Sequence, residues 1–298
     1  MIPPSVSVEA FAKVNLFLRV LSKEVNGFHG LETLFCLLDL ADRLQVERRD
    51  GKAVTLEVEG PELGPPETNL ASRAAAMVLA ATGDRFGVHL SLVKRIPVQA
   101  GLGGGSSDAA AALVAVNRLA ADAVPRHELL QFAARLGSDV PFFLSGATLA
   151  LGWGRGERLL QLPPLPSAPA LLLTPPVPIA TADAYGWIDA ARQPDARRGA
   201  VALDLDALSR WGDIGRMAGN DFESPVFGRH PEVRAAFEAL VGTRPLVCRM
   251  SGSGSTLFAV YRSARDRDDA QMMLGRKYGR LTPCSTLAGR PAGATPSP

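Results

Sequence analysis

The stretch Pro97-Val98-Gln99-Ala100-Gly101-Leu102-Gly103-Gly104-Gly105-Ser106-Ser107-Asp108 runs without a break into an alanine-rich segment, Ala109 to Leu113. Glycine admits positive φ and lets the backbone approach a ligand closely. Ser106, Ser107 and Asp108 are residue types that cap helix starts. A helix beginning here aims unpaired backbone N–H groups and the positive end of its dipole at the loop. That is a cradle for an anion, phosphate above all; a flexible turn before an ordinary helix is the plain alternative. A Walker A loop would end in Gly-Lys-Ser/Thr, and no lysine occurs in the stretch. The dinucleotide pattern G-x-G-x-x-G would need glycine at Ser106. This is therefore a third kind of glycine loop.

Three more polar islands stand in apolar or glycine-rich surroundings. Lys13 and Asn15 lie two apart within the β-rich stretch Val6 to Leu21, so both face one side of a strand. An edge strand with one polar face would explain them equally well. Asp139 sits between Gly137 and the apolar run Val140-Pro141-Phe142-Phe143-Leu144. It suits the cap of a short helix with proline in its first turn, and it suits a reactive carboxylate. Ser251-Gly252-Ser253-Gly254-Ser255 separates two short apolar segments. A phosphate cradle, a lysine and an aspartate are the minimum equipment of a kinase. The loop holds the nucleotide phosphates, the lysine offsets charge and the aspartate takes the hydroxyl proton.

The elements between the islands must bring them together. Val88 to Ile96 alternates as a strand and leads straight into the glycine loop, and Ser107 to Ala121 follows as a helix. Thr68 to Ala81 is a helix capped by Thr68 or Asn69, and Pro125 to Leu136 is another. Arg43 to Glu59 suggests two short strands joined at Asp50-Gly51, a hairpin pattern. The proline-rich run Pro163 to Pro169 marks the best domain boundary, giving units at 1–162 and 170–288. The second unit reads β-α-α-β-β-α-β, which suits an antiparallel sheet with helices on one face. Its first helix, Thr181 to Ala191, carries Tyr185 and Trp187. Asp195 to Gly199 is a charged loop, and 289–298 is expected to be a disordered tail.

Composition narrows the class. The chain has 298 residues, 47% apolar and 21% charged, with a net charge of +2. That suits a soluble globular protein and offers no nucleic-acid footprint and no polybasic membrane patch. No apolar run reaches the length of a membrane span. Residues 1–13 lack a basic-then-apolar leader pattern, and Cys36, Cys248 and Cys284 are far apart with no metal spacing. A cytoplasmic location with free thiols and no protein-held metal is expected.

With these residues in view, the chain resembles the GHMP small-molecule kinase superfamily. Pro97-x-x-x-Gly101-Leu102-Gly103 with Ser106-Ser107 is similar to the family's phosphate-loop motif. Ala12-Lys13-Val14-Asn15 resembles its first motif, Asn26-Gly27-Phe28-His29 a substrate loop, and Gly137-Ser138-Asp139-Val140-Pro141 its catalytic-aspartate segment. Asn220-Asp221-Phe222-Glu223 and Ser251 to Thr256 resemble its C-terminal motifs. The resemblance implies an α+β, two-domain fold, with a ribosomal-protein topology in the first domain and a ferredoxin-like second. It implies an ATP- and Mg²⁺-dependent kinase acting on a cytidine-diphosphate-linked small alcohol, as a monomer or weak homodimer, with no nucleic-acid or membrane partner. Another small alcohol such as mevalonate or homoserine, or a non-catalytic nucleotide-binding protein, is the alternative.

The resemblance also implies roles. Asp139 would be the general base and Lys13 would orient it and stabilise charge. Pro97, Val98, Gln99, Ala100, Gly101, Leu102, Gly103, Gly104, Gly105, Ser106 and Ser107 would wrap the ATP phosphates, with Lys94 and Asn69 near the adenosine. Asn15, Phe28, His29, Tyr185, Gly252, Ser253 and Gly254 would meet the substrate. Phe28 and Tyr185 would sandwich its base, although phenylalanine stands at 28 where the family usually has tyrosine.

Overall fold

The computed structural model describes residues 3–23, 27, 29–191 and 204–290. Asn26, Phe28, the 195–199 loop and the tail beyond Arg290 lie outside these, so the expectations placed on them have no structural counterpart. Two long strands, β1 (Ser5–Lys23) and β2 (His29–Arg49), form the spine of the first sheet. They pair antiparallel along nearly their whole length, with register shifts between Phe11 and Lys13 and between Asn15 and Phe17. The shifts have a consequence for side-chain direction. Val6, Val8 and Ala10 pack into the helix-facing core, whereas Ala12, Val14 and Leu16 pack toward the second sheet. A bulge flips the alternation and re-aims the chain, so Lys13 and Asn15 project on the helix side, where the glycine loop lies.

The far edge of β2 carries β4 (Gly87–Val93) against Arg43–Arg49 and β5 (Leu149–Gly154) against Leu31–Cys36. β3 (Val54–Glu59) pairs parallel with β4, and β6 (Arg158–Gln161) pairs antiparallel with β5. The expected hairpin at Asp50-Gly51 is therefore corrected. The turn exists, with Gly51 at φ 87°, but β4 inserts between the two strands. The short segment after the turn is joined to β4 by α1 (Leu70–Ala81), a β-α-β crossover that a parallel pair requires. α1, α2 (Gly104–Leu119), α3 (Arg126–Leu136) and α4 (Val140–Ser145) cover this face and close a core rich in alanine and valine.

Beyond the proline-rich run, β7 (Pro169–Thr174), β8 (Val247–Met250), β9 (Leu257–Val260) and β10 (Arg280–Ser285) form a second sheet in the order β10-β7-β9-β8, antiparallel throughout. α5 (Thr181–Ala191), α6 (Trp211–Met217), α7 (Glu223–Arg229), α8 (Pro231–Gly242) and α9 (Ala264–Leu274) accompany it. The β-α-β-β-α-β order gives the ferredoxin-like half, and the whole is α+β. One apolar core lies between the two sheets, where Val14 and Leu16 meet Leu172, Val247 and Phe258. The segment 219–221 also docks directly on β1: Leu18 N donates to Gly219 O and Asp221 N to Leu18 O. Cys36, Cys248 and Cys284 are free and buried, and burial pushes the Cys36 thiol up to about 12. None is a nucleophile at neutral pH.

Candidate active site

The glycine loop turns where β4 ends and α2 begins. α2 starts at Gly104, three residues earlier than the sequence pattern suggests, capped by Gly103 at φ 72° with no side-chain cap bond. None of Ser106, Ser107 and Asp108 caps it. Helix geometry leaves the N–H groups of Gly104, Gly105 and Ser106 without an intrahelical carbonyl, and Ser107 N is donated to Gly103 O at 2.9 Å. Two of the glycines are sterically required. A Cβ on Gly101 (φ 74°) would lie 2.0 Å from Ser251 O, and one on Gly103 would lie 2.8 Å from the Phe143 ring and 3.1 Å from Lys13 Cγ. The loop is thus pressed between Lys13 on one side and the Ser251–Ser255 loop on the other.

Lys13 is 3% exposed, and its ammonium donates to Asn15 Oδ1 at 2.7 Å and to Gly101 O at 2.9 Å. Asp139 Oδ2 lies 3.4 Å from Nζ, with a third of its side chain in the cleft. Asp139 precedes α4 in the αR region and makes no cap bond. A side-chain cap needs an extended residue, so the carboxylate is turned to Lys13 instead. Asn15 is itself locked: its Nδ2 donates to Thr33 Oγ1 at 2.7 Å, Thr33 Oγ1 donates to Phe17 O at 2.8 Å, and Gly252 N donates to Asn15 Oδ1 at 3.0 Å. Asn220, also buried, donates from Nδ2 to Met250 O at 2.7 Å and Gly252 O at 2.8 Å. Ser251 Oγ donates to Gly101 O at 2.8 Å. Both halves of the chain therefore hold the same few atoms.

These groups open on a cleft of about 670 Å³ between the two sheets, whose wall includes Lys13, Asn15, His29, Gly101, Gly103, Asp139, Tyr185, Gly252 and Ser253. Nine of the sequence-predicted site residues thus converge. Tyr185 stacks on His29 with ring centroids 4.9 Å apart and meets Phe222 edge-on at 5.0 Å. Burial, reinforced by Asp139, pushes the Tyr185 phenol up to about 12, so it stays neutral. Several cleft residues were not anticipated. Lys23, Thr33, Arg155, Thr181, Asp189 and Phe222 also line the wall. Asp189 lies four residues after Tyr185 and eight after Thr181, so helical spacing places them on one face of α5; that spacing could have flagged it.

Others take different places. The Lys94 side chain is 3% exposed and donates to Asp42 Oδ2 and to Asp108 Oδ2, the latter at 2.7 Å. Asp42 Oδ1 accepts from Arg95 N at 2.6 Å and Ile96 N at 2.8 Å. The resemblance places Lys94 near the adenosine; in the structure two buried carboxylates hold its ammonium, which lies beneath Gly104 of the loop. Asn69 caps α1, its Oδ1 accepting from Ala71 N at 2.9 Å. Pro97, Val98 and Gln99 form the outer rim of the loop, and Ala100 and Leu102 point into the core between the sheets. Ser107 is buried behind the loop beside Val8, Phe11 and Arg290. Gly254 packs on Met250 and Ile179 rather than on the cleft.

A two-sheet α+β fold with a glycine loop at a helix start and a lysine–aspartate pair beneath it defines a small-molecule kinase. The profile of the GHMP kinases N terminal domain matches residues 69–147, and that of the GHMP kinases C terminal domain matches 202–280. The 4-diphosphocytidyl-2-C-methyl-D-erythritol kinase of Solibacter usitatus is 40% identical over 263 residues, 86% of this chain and 81% of that one. That of Pelotomaculum thermopropionicum is 38% identical over 278 residues, 90% and 96% of the two chains. A crystal structure of 4-(cytidine 5'-diphospho)-2C-methyl-D-erythritol kinase superposes with a TM-score of 0.79 at 36% identity, covering 96% of this chain and all of that one. Homoserine kinase from Cytophaga hutchinsonii shares the fold, with a TM-score of 0.73 at 21% identity over 97% of this chain and 96% of its own. The chain belongs to the GHMP kinases, and among them to the 4-diphosphocytidyl-2-C-methyl-D-erythritol kinase family.

Proposed function

We propose that this chain transfers the γ-phosphoryl group of ATP to the 2-hydroxyl of 4-diphosphocytidyl-2-C-methyl-D-erythritol, a step toward isoprenoid precursors by the non-mevalonate route. The observation that carries the mechanism is the Lys13–Asp139 pair, 3.4 Å apart in the cleft beside the start of α2. The open N–H groups of Gly104 to Ser106 face the nucleotide phosphates. The Asp139 carboxylate takes the proton of the attacking hydroxyl as the new P–O bond forms and the bond to the ADP oxygen breaks. Lys13, oriented by Asn15 and Gly101, offsets charge on the oxygens in flight. His29 and Tyr185 receive the substrate's base, and Asn15, Gly252 and Ser253 its polar middle.

Mg²⁺ fits this arrangement as an ion carried on the nucleotide. Among the described residues no cluster of three or more histidine, cysteine or acidic side chains could hold a metal alone, and Mg²⁺ characteristically rests on phosphate oxygens with one or two carboxylates. Asp139 would be that carboxylate, and the ion would neutralise phosphate charge; Ser107 lies behind the loop. The two domains are residues 1–162, which carries Lys13 and Asp139, and 170–288, and the chain acts in the cytoplasm as a monomer or weak homodimer.

The test is ADP release from ATP and Mg²⁺ with the cytidine-linked substrate, mevalonate and homoserine in parallel. Turnover only with the first is expected; turnover only with mevalonate or homoserine overturns the substrate assignment. Asp139→Asn should lower kcat about 10²–10⁴-fold with nucleotide affinity retained, and full activity in that variant refutes the general-base role.

A further inference from the structure

Asp189 is the one acidic group of α5 that reaches across the cleft to both ends of the 24–28 segment. Its Oδ1 lies 2.6 Å from His29 Nε2, and its Oδ2 accepts from Lys23 Nζ at 2.9 Å. Tyr185, one helical turn earlier, stacks on the same imidazole at 15° between planes. The face of the His29 ring is therefore taken by Tyr185 and one edge by Asp189. The side chain of His29 is 6% exposed, and it lines the cavity.

This geometry dictates a tautomer. The Lys23 hydrogen bond, with help from His29, holds the Asp189 carboxyl below its usual range, and an ionised carboxylate can only accept. His29 Nε2 must then carry the hydrogen. In the neutral ring Nδ1 is left bare, with a lone pair in the ring plane. A bare nitrogen accepts from an N–H and repels a carbonyl oxygen. Cytosine and uracil differ along one edge: cytosine presents an exocyclic amine at C4 and a bare N3, where uracil presents an oxygen and an N3–H, and the amine–oxygen exchange is the one a bare imidazole nitrogen reads.

We propose that Asp189 is a specificity-determining residue, which fixes His29 as the Nε2–H tautomer so that bare Nδ1 accepts the amine of a cytosine base and turns away uracil. The inference rests on the reading above that His29 meets the base. It assigns to α5 a task beyond stacking: Tyr185 grips the ring of whichever pyrimidine enters, and Asp189, through His29, decides which one is kept. A site built around one hydrogen bond discriminates strongly because the wrong partner leaves a buried polar group unpaired.

Two measurements test this. The first is kcat/KM for the cytidine-linked substrate and its uridine-linked analogue, in wild type, Asp189→Asn and Asp189→Ala. Asparagine can donate through Nδ2 to Nε2 and so allow the opposite tautomer. Asp189→Asn should narrow the cytidine-to-uridine ratio at least tenfold, partly by raising uridine use, whereas alanine should lower cytidine use without that gain. An equal loss on both substrates, or an unchanged ratio, overturns the proposal and leaves Asp189 a structural clamp. The second is the ¹⁵N shift pattern of the His29 ring in the wild-type protein without substrate. A protonated Nε2 and bare Nδ1 are expected; a protonated Nδ1 overturns the proposal even if the kinase assignment stands. Turnover of neither substrate by wild type refutes the functional reading instead, and the ring tautomer still decides the role of Asp189.

Discussion

Two lysines are pressed against the same glycine loop, and they are used in opposite ways. Lys13 touches the loop at Gly101 and Gly103, and Lys94 lies under Gly104. Both ammonium groups are almost wholly buried. Lys13 is bound by neutral oxygens, and its one carboxylate, Asp139, is looser and partly exposed to the cleft. Lys94 is bound by two carboxylates, both buried, in direct hydrogen bonds. A buried charge must be compensated locally. In the Lys94 cluster the ammonium charge is met within the protein by two carboxylates. In the Lys13 cluster the compensation is partial, which suits the proposed role of meeting an anionic oxygen in the cleft. Proximity to the loop thus separates support from chemistry less well than what the ammonium already holds.

The contrast can be broken by exchanging effects. Lys94→Met leaves Asp42 and Asp108 without their cation, and removing one partner of a buried ion pair typically costs about 3–5 kcal/mol. Urea unfolding should show that loss. Lys13→Met should instead lower kcat about 10²–10³-fold, the range for losing one preorganised charge-stabilising donor, with a much smaller change in the unfolding midpoint. A Lys94 variant that is stable yet inactive, or a Lys13 variant that unfolds yet retains turnover when folded, would collapse the distinction.

The Lys94 cluster also carries a pH response of its own. Burial pushes the Asp108 carboxyl up to about 7, with Lys94 opposing and Asp42 reinforcing the shift. Among the described residues its Oδ1 has no hydrogen-bond partner. Burial works against the charge on Lys94, yet Asp108 and Asp42 hold its pKa above the usual value. For Asp108 the folded chain binds a proton that the unfolded chain, near 3.8, has released. Stability therefore falls as pH rises from about 4 to about 7 and levels off above that. For Lys94 the contribution persists below 10.5 and disappears only as pH rises through its raised folded value. Asp108→Asn should flatten the slope of unfolding free energy between about pH 4 and 7. A slope that survives the substitution locates the titrating group elsewhere.

How much of this was legible in the chain follows the range of the interactions. The strand–loop–helix order, the shared face of Lys13 and Asn15 and the helix bearing Tyr185 are local, and period and residue type reveal them. The Asp50-Gly51 turn was visible, but its strands do not pair with each other, because β4, whose paired residues lie 34 or more positions away, inserts between them. The start of α2 was placed three residues late because serine and aspartate are good caps in general. Here Gly103 takes the position, since Phe143 and Lys13 leave no room for a Cβ. Lys94 shows the same limit. The resemblance places it near the adenosine, and nothing in its own segment shows that its charge is met by Asp42, 52 residues away. Asp189 is 160 residues from His29, and no pattern within either segment joins them.

Asn69 offers the smallest and sharpest test, because it has one role in the fold and another proposed for it. It begins α1 in an extended conformation, and its Oδ1 accepts from Ala71 N at 2.9 Å. Asn69→Ala removes that cap and should cost about 1 kcal/mol. It would weaken ATP binding as well if the side chain also reads the adenosine, so alanine alone cannot separate the roles. Asn69→Asp separates them. Aspartate caps about as well as asparagine, and its charge at a helix N-terminus is favourable, so the unfolding midpoint should stay within about 0.5 kcal/mol of wild type. Aspartate cannot donate as the amide does, and its charge repels phosphate. A severalfold rise in the KM for ATP at unchanged stability would assign Asn69 to the adenosine end. An unchanged KM would make it a cap alone, and the nucleotide would then be held from the glycine loop outward, with α1 serving only to brace α2.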